Sequence, residues 1–184
     1  MTALLEVDRL SKHFGGVRAV DGCTFSVEEG TITGLIGPNG SGKTTAFNLI
    51  TGYLKPDSGA VRFGGHSVKN QDPARLYRLG LSRTFQQARI FPDLSVEENL
   101  VIAAGCSWRG LFGARRTRGD RLRALAMLEE FRLAGLADLA AGELSYGQRK
   151  LLEFAAVLMS RPRLVLLDEP TAGVNAVMIS KIAA

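Results

Sequence analysis

The stretch "GPNGSGKT", Gly37 to Thr44, decides what kind of fold this sequence builds. It fits the pattern G-x-x-x-x-G-K-[ST] and stands between "TITGLIG", which predicts a strand, and a predicted helix from about Lys43 to Tyr53. Glycines let the backbone wrap closely, so its amide hydrogens converge into an anion-binding nest. The helix N-terminus adds further N–H donors. The alternative, a glycine-rich turn that contains Lys-Thr by chance, is disfavoured by the strand–loop–helix context.

The residue types in this segment, called the phosphate loop below, suit a nucleoside triphosphate with Mg²⁺. Lys43 supplies a mobile positive charge for the β- and γ-phosphates, and the Thr44 hydroxyl is a ligand for Mg²⁺. The predicted nucleotide-binding residues of the loop and the turn after it are Gly37, Pro38, Asn39, Gly40, Ser41, Gly42, Lys43, Thr44 and Thr45.

Two adjacent carboxylates follow the apolar run in "LVLLDE", residues 164–169. The run is typical of a strand buried on both faces of a parallel sheet. Asp168 at its end suits Mg²⁺, and Glu169 is placed to orient or polarise the attacking water. The alternative is an acidic pair that ends a strand and enters a turn at Pro170. The phosphate loop in the same chain favours the catalytic interpretation.

Composition points to an ordinary globular chain of 184 residues, with 46% hydrophobic and 22% charged residues. No apolar run approaches the length of a membrane span. Cys23 and Cys106 lack metal-site spacing, which predicts reduced, structural cysteines. The net charge of +5 equals the charge of residues 109–123 alone, which hold six arginines and one aspartate. The excess charge is therefore local, which argues against a nucleic-acid-binding face.

Coarse patterns divide the chain into an α/β part, a helical middle and a return to α/β. Extended segments come first, and from Ser95 the pattern is helical, with Glu98 at capping-box spacing. A second helix, "DRLRALAMLEEFRLAG", is predicted to end at Gly135. A third follows "LSYGQ", residues 144–148. There Ser145 and Gly147 present a hydroxyl and a bare amide for an anion, or Ser145 is an ordinary helix N-cap.

The order of these motifs resembles the ATP-binding subunits of ABC transporters. The pattern of that family runs phosphate loop, Q-loop, signature, Walker B and D-loop, which here are "GPNGSGKT", Gln86, "LSYGQ", "LVLLDE" and "AGVN". The segments "GPNGSGKTTAFNLITGYLKPDSG" and "RTFQQARIF" are most similar to subunits of branched-chain amino-acid importers. The resemblance implies an α/β P-loop NTPase (RecA-like) core with an N-terminal antiparallel β subdomain and an inserted helical subdomain. We expect one domain over 1–184, divided into 1–87, 88–160 and 161–184.

The resemblance also implies roles for residues outside the phosphate loop. Two such domains pair head to tail, so that Ser145, Gly147 and Gln148 approach the γ-phosphate of the nucleotide held by the partner. Gln86 lies near the metal with Thr44 and Asp168, shares the catalytic role with Glu169, and senses the transmembrane subunit. Phe14 stacks on adenine. The alternatives are a solvated glutamine for Gln86 and, for Phe14, an aromatic ring packed under the first sheet.

The implied function is ATP hydrolysis that powers an importer of branched-chain amino acids or a similar small polar solute. Its partners are a second ATP-binding subunit and transmembrane permease subunits, at the cytoplasmic face of the membrane, and no nucleic acid is expected. The basic segment Arg109–Arg123 is either a solvated loop or a contact for anionic lipid or for an acidic face of the permease. The competing functions are an ABC ATPase that acts on nucleic acid or ribosomes and a nucleotide-binding fragment without turnover.

Three departures from the family pattern stand out. Tyr146 replaces a more usual glycine, and Asn175 ends the D-loop where aspartate is common. The family has a histidine some tens of residues after the acidic pair, whereas the histidines here are His13 and His66, and 15 residues follow Glu169. We therefore expect a C-terminally truncated domain that binds ATP and Mg²⁺ but hydrolyses ATP poorly.

Overall fold

The computed structural model describes residues 3–84, 90–104 and 118–168. The chain divides into two compact units. The first comprises Met1–Arg83 and Pro162–Leu166, and the second comprises Thr84–Arg161 and Leu167–Ala184. Among the helices of the described ranges, none has the length and apolar character that a bilayer crossing needs.

The first unit is built from an antiparallel sheet, a parallel strand pair and two short helices. Its elements are β1 (Ala3–Phe14), β2 (Val17–Glu28), α1 (Lys43–Ile50), β3 (Ser58–Phe63), β4 (His66–Ser67), α2 (Pro73–Arg78), β5 (Leu81–Arg83) and β6 (Leu164–Leu166). The antiparallel sheet has the order β2-β1-β3-β4, and β5 pairs with β6 in parallel. Antiparallel strands at the N-terminus and a parallel pair that closes with β6 confirm the predicted mixed α/β class.

The core of the first unit lies where α1 and α2 pack on the strands. Apolar side chains at alternate positions of β1 face it because successive residues of a strand point to opposite sides. The helix α1 contributes three buried residues at helical spacing. The buried core residues are Leu4, Leu5, Val7, Leu10, Val20, Val27, Ala46, Leu49, Ile50, Val61, Phe63, Val68, Leu76, Leu81 and Leu166.

The prediction of a strand in "TITGLIG" is wrong for the described structure. Residues 31–38 form neither helix nor strand, and the side chains of Ile32 and Ile36 are 86% and 95% exposed. An apolar, β-branched segment becomes a strand only when a neighbouring strand supplies partners for its backbone groups. Neither described sheet includes this segment, so its β-propensity has no ladder to join.

The strand β6 differs from its prediction in burial. It is parallel to β5, as expected, and Leu166 is buried, but Leu164 and Val165 are only partly buried. In the described residues β6 has β5 as a neighbour on one side. The sequence pattern predicts a strand in the interior of a sheet, with both faces buried. With one neighbouring strand in the described residues, β6 is less buried than that prediction.

The second unit is helical. Its elements are α3 (Val96–Ala103), α4 (Arg118–Glu130), 3₁₀ turns at Ala134–Leu136 and Ala141–Glu143, and α5 (Tyr146–Met159). The three α-helices surround one apolar core. Its buried residues are Val96, Leu100, Val101, Ala124, Leu128, Leu133, Ala141, Leu144, Leu151, Leu152, Ala155 and Met159.

The helix α4 ends at Glu130, five residues before the predicted stop at Gly135. Arg132 adopts a left-handed conformation with φ of 59°. The Leu133 N–H then donates to the Leu128 carbonyl over 2.7 Å, and the Arg132 N–H donates to Glu129 over 3.0 Å, as in a Schellman motif. Leu128 and Leu133 are both buried, so their apolar contact offsets the cost of placing an arginine where glycine is usual.

Two arginines of the basic segment have structural partners in the second unit. Arg121 forms an ion pair with the buried Glu97 over 2.9 Å. Arg123 donates to the Met159 carbonyl over 2.8 Å. These contacts connect α4 to α3 and α5. The contribution of both side chains is therefore to helix packing, while residues 105–117, with the rest of the arginines before α4, lie outside the described residues.

Asn99 organises the loop that precedes α3. Its side chain is buried, its Oδ1 accepts from the Phe91 N–H over 2.8 Å, and its Nδ2 donates to the carbonyls of Phe91 and Ser95 over 3.0 and 2.9 Å. A longer contact of 3.4 Å reaches the Leu94 carbonyl. Ser95 and Glu98 form the predicted capping box at the same helix end. One buried amide thus bonds to both backbone polar groups of Phe91 and to the carbonyl of Ser95.

Replacing Asn99 with alanine should destabilise the second unit by about 2 to 4 kcal/mol, because several backbone groups around Phe91 lose a buried partner. Urea denaturation and amide hydrogen exchange of Phe91 measure the effect. Asp138→Ala, at an exposed position of the same unit, is the matched control and should change stability by less than about 0.5 kcal/mol. An Asn99→Ala variant as stable as the control would contradict the assigned role.

Candidate functional site

Two glycines with left-handed backbone shape the phosphate loop. Gly40 and Gly42 have φ of 80° and 89°, and the Ser41 N–H between them donates to the Pro38 carbonyl over 3.2 Å. A Cβ on Gly42 would run into the carbonyl oxygen of Ala19 in β2. Gly42 is also the N-cap residue of α1. Glycine is therefore needed here both for its conformation and for the close approach of two backbone segments.

The ammonium group of Lys43 lies over the loop itself. Its Nζ donates to the carbonyl of Gly37 over 2.8 Å and to that of Pro38 over 2.9 Å. The helix α1 starts directly after Gly42, its N-cap residue, which has no side chain to cap the first turn. The positive charge of Lys43 and the N-terminus of α1 thus both lie at the loop. Both favour a bound anion there.

Most of the loop is accessible to solvent. The half-buried members are Gly37, Gly42, Lys43 and Thr45, and the exposed members are Pro38, Asn39, Gly40, Ser41 and Thr44. A ligand can therefore reach the backbone amides and the Thr44 side chain without displacing core residues.

Phe14, the predicted adenine-stacking residue, is the last residue of β1. The residue is 48% exposed, so about half of its surface is accessible to solvent. Lys12 Nζ lies 5.6 Å from the ring centroid, within the range of a cation–π contact. The ring therefore offers free surface to a planar partner.

The signature segment forms the N-terminus of α5. Ser145 Oγ accepts from the Gln148 N–H over 3.3 Å, and Gln148 Oε1 accepts from the Ser145 N–H over 2.9 Å, which together make a capping box. Ser145 is therefore a helix N-cap in this structure, as the simpler interpretation predicts. The pairing with Gln148 was not predicted, although Ser-x-x-Gln spacing signals it. Gly147 is half-buried, and Tyr146 is 49% exposed.

Asp168 follows β6 and belongs to the second unit. It is 5% exposed, and its N–H donates to Thr84 Oγ1 over 3.2 Å. In ranges 3–84, 90–104 and 118–168, no cluster of three or more His, Cys, Asp or Glu residues could hold a metal. Gln86 and Glu169, the predicted catalytic residues, lie outside the described residues, as does the D-loop. Cys23 is a free thiol. Cys106 lies outside the described residues.

A family model described as "ABC transporter" matches residues 20–172 of this chain. The chain belongs to the ABC transporter family. It is therefore an ATP-binding ATPase domain with the P-loop NTPase fold, and the family predicted from the order of motifs is confirmed.

The ABC chain is similar to curated relatives from bacteria and archaea. The high-affinity branched-chain amino acid transport ATP-binding protein BraF of Pseudomonas aeruginosa is 40% identical over 181 residues, which cover 94% of this chain and 71% of that protein. A probable branched-chain amino acid transport ATP-binding protein, LivG, of Methanocaldococcus jannaschii is 40% identical over 178 residues, which cover 93% and 69% of the two chains. This chain is thus shorter than both relatives.

Solved structures of ABC cassettes share its fold. The ADP conformation of an ATP-binding cassette of an ABC transporter matches with a TM-score of 0.82 and 39% identity, over 99% of this chain and 74% of that one. The dimeric structure of a post-hydrolysis state of another cassette, bound to ADP and Pi, matches with a TM-score of 0.83 and 27% identity, over 97% and 79% of the two chains.

Gly42→Ala should destabilise the first unit by more than about 2 kcal/mol and weaken ATP binding, because the added methyl group overlaps the Ala19 carbonyl in addition to the left-handed strain. Gly40→Ala is the matched control. It carries similar strain, but a Cβ there meets nothing within 4 Å, so we expect a loss of only about 1 kcal/mol. Chemical denaturation with and without ATP compares the two. Equal losses would show that the contact with Ala19 is unimportant.

Proposed function

We propose that this chain is the ATP-hydrolysing subunit of an ABC importer for branched-chain amino acids or a similar small polar solute. It acts as a head-to-tail dimer, bound to transmembrane permease subunits at the cytoplasmic face of the membrane. The observation that carries the proposal is the phosphate loop, in which the Lys43 ammonium lies beside a helix N-terminus whose N-cap is a glycine. The relatives named above, which are branched-chain amino acid transport ATP-binding proteins, support the solute class.

In this proposal the phosphate loop holds the triphosphate through its backbone. Lys43 exchanges its two carbonyl partners, Gly37 and Pro38, for phosphate oxygens, which as charged acceptors form stronger hydrogen bonds. The amides from Gly40 to Thr45 surround the phosphates, and Phe14 stacks on the adenine ring. The exposure of these groups is consistent with that arrangement.

Mg²⁺ fits the residues that the proposal gives it. A hydroxyl from Thr44, a carboxylate from Asp168 and an amide oxygen from Gln86 are the hard oxygen ligands that this cation prefers. Bound Mg²⁺ would neutralise phosphate charge. Glu169 would orient the attacking water, and Gln86 would assist it. Asp168 is buried and follows the strand β6. This position supports its proposed role as a metal ligand at the end of a strand.

The signature residues would serve the nucleotide bound by the partner subunit. Ser145 and Gln148 are engaged with each other in the capping box, and Gly147 lies within the first turn of α5. The phosphate would bind at the N-terminus of α5, where the capping box already orients the Ser145 hydroxyl. The tyrosine at 146, exposed beside them, would lie at the same surface.

Lys43→Ala should weaken ATP binding at least tenfold, since a charge-assisted contact to phosphate is lost. Lys55→Ala, at an exposed lysine beyond the end of α1, is the control and should bind ATP as the unchanged chain does. Glu169→Gln should bind ATP normally but lose turnover. Calorimetry with Mg²⁺-ATP and a phosphate-release assay provide the measurements. Normal ATP binding by Lys43→Ala would refute the site.

The importer assignment predicts that the tagged chain co-purifies with permease subunits from detergent-solubilised membranes, because an energy-coupling subunit must contact the protein that moves the solute. Reconstituted with that permease, it should support ATP-dependent uptake of leucine, and Lys43→Ala should abolish the uptake. Recovery with ribosomes or DNA instead, in the same fractionation, would favour the competing function.

A further inference from the structure

Asp57 lies in the turn after α1, and its polar groups contact three consecutive residues of β1. Its N–H donates to the Ser11 carbonyl over 3.0 Å. One carboxylate oxygen accepts from Lys12 Nζ over 2.7 Å, and the other accepts from the His13 N–H over 2.7 Å. His13 Nδ1 lies 3.4 Å from that second oxygen. A single residue thus contacts the strand at the three positions that lead directly to Phe14.

The regular strand pairing is weak at this point of β1. Its register with β2 shifts between Leu10 and Lys12 and again between Lys12 and His13. On the other side, the pairing with β3 ends at Ser11 opposite Ser58. Beyond that residue, β1 has lost the ladder on one edge and has an irregular ladder on the other. The Asp57 carboxylate supplies the backbone partner that β3 no longer provides for His13.

The same carboxylate also orients the side chain beside the ring. Lys12 Nζ, held at 2.7 Å by Asp57, is the cation that lies 5.6 Å from the Phe14 ring centroid. The hydrogen bonds from Lys12 and from the His13 backbone lower the pKa of Asp57, so its carboxyl is ionised at neutral pH. An ionised acceptor strengthens both bonds. Backbone and side chain around Phe14 are therefore fixed from one point.

We propose that Asp57 is a positioning residue for recognition of the nucleotide base: it fixes the end of β1 so that Phe14 presents its ring to the adenine. The inference rests on the proposed stacking role of Phe14. Asp57 itself does not touch the nucleotide. It follows α1, the helix that begins at the phosphate loop, so the same helix and the turn after it serve both the triphosphate and the base.

Two ligands separate base recognition from phosphate binding. ATP carries the base, whereas inorganic tripolyphosphate presents a chain of three phosphates without it. Asp57→Asn removes the charge and keeps the size of the side chain, and we expect it to weaken ATP binding about threefold to tenfold with tripolyphosphate binding unchanged. Asp57→Glu restores the carboxylate and should recover part of the loss. Asp21→Asn, which breaks an exposed ion pair with Arg18 in β2, is the control and should change neither affinity.

A double-mutant cycle with Phe14→Ala decides whether Asp57 acts through the ring. Phe14→Ala alone should weaken ATP binding and spare tripolyphosphate, and adding Asp57→Asn to it should cause no further loss. Calorimetric titration of both ligands into each variant gives the affinities, and unchanged tripolyphosphate binding shows that the phosphate loop is intact.

The remaining outcomes separate the two ideas. If Phe14→Ala leaves the ATP affinity unchanged, the stacking role fails, and the inference fails with it. If Phe14→Ala is selective for ATP but Asp57→Asn changes neither affinity, weakens both ligands equally, or adds its full effect to that of Phe14→Ala, the stacking role stands and the positioning role of Asp57 is overturned.

Discussion

The first unit depends on the close approach of two backbones, where Gly42 lies against the carbonyl of Ala19. This contact sets where α1 begins, and the start of a helix determines which of its residues face inward. In this position of α1, Ala46, Leu49 and Ile50 are buried in the core. A side chain at position 42 would move the helix away from β2. The position of α1 against β2, and with it the position of the proposed phosphate loop, therefore requires glycine at residue 42.

The second unit is organised by polar groups at helix ends. Ser95 with Glu98 and Ser145 with Gln148 form the same reciprocal cap, at α3 and α5. Each satisfies donors that the first turn of a helix leaves without partners. In α5 the cap involves the residues to which the family resemblance gives a phosphate. Ser145 therefore has two roles: it caps the helix α5 in the structure, and in the proposed function it contacts phosphate.

Local signals made much of this architecture predictable. The helix that starts at Lys43 after the glycine-rich loop and the capping box at Ser95 each depend on residues a few positions apart, and the structure has both. Contacts between distant segments were not predictable from one sequence. The partners of Asp57 lie 44 and 45 residues away, and the sequence pattern around it indicates only a turn. The end of α4 at Glu130, with Arg132 in the left-handed conformation after it, was not predicted, because burial of Leu133, a tertiary effect, outweighs the usual preference for glycine.

The contacts of Asn99 have a consequence for which changes in chain length this fold can accept. Surface loops usually accommodate insertions because few specific contacts fix their length. Here one rigid amide is matched to both polar groups of Phe91 and to the carbonyl of Ser95. An extra residue between positions 91 and 99 would put the wrong carbonyl opposite the amide and leave a buried donor unsatisfied. Relatives that keep this asparagine should therefore keep the loop length as well, and length variation should collect elsewhere in the chain.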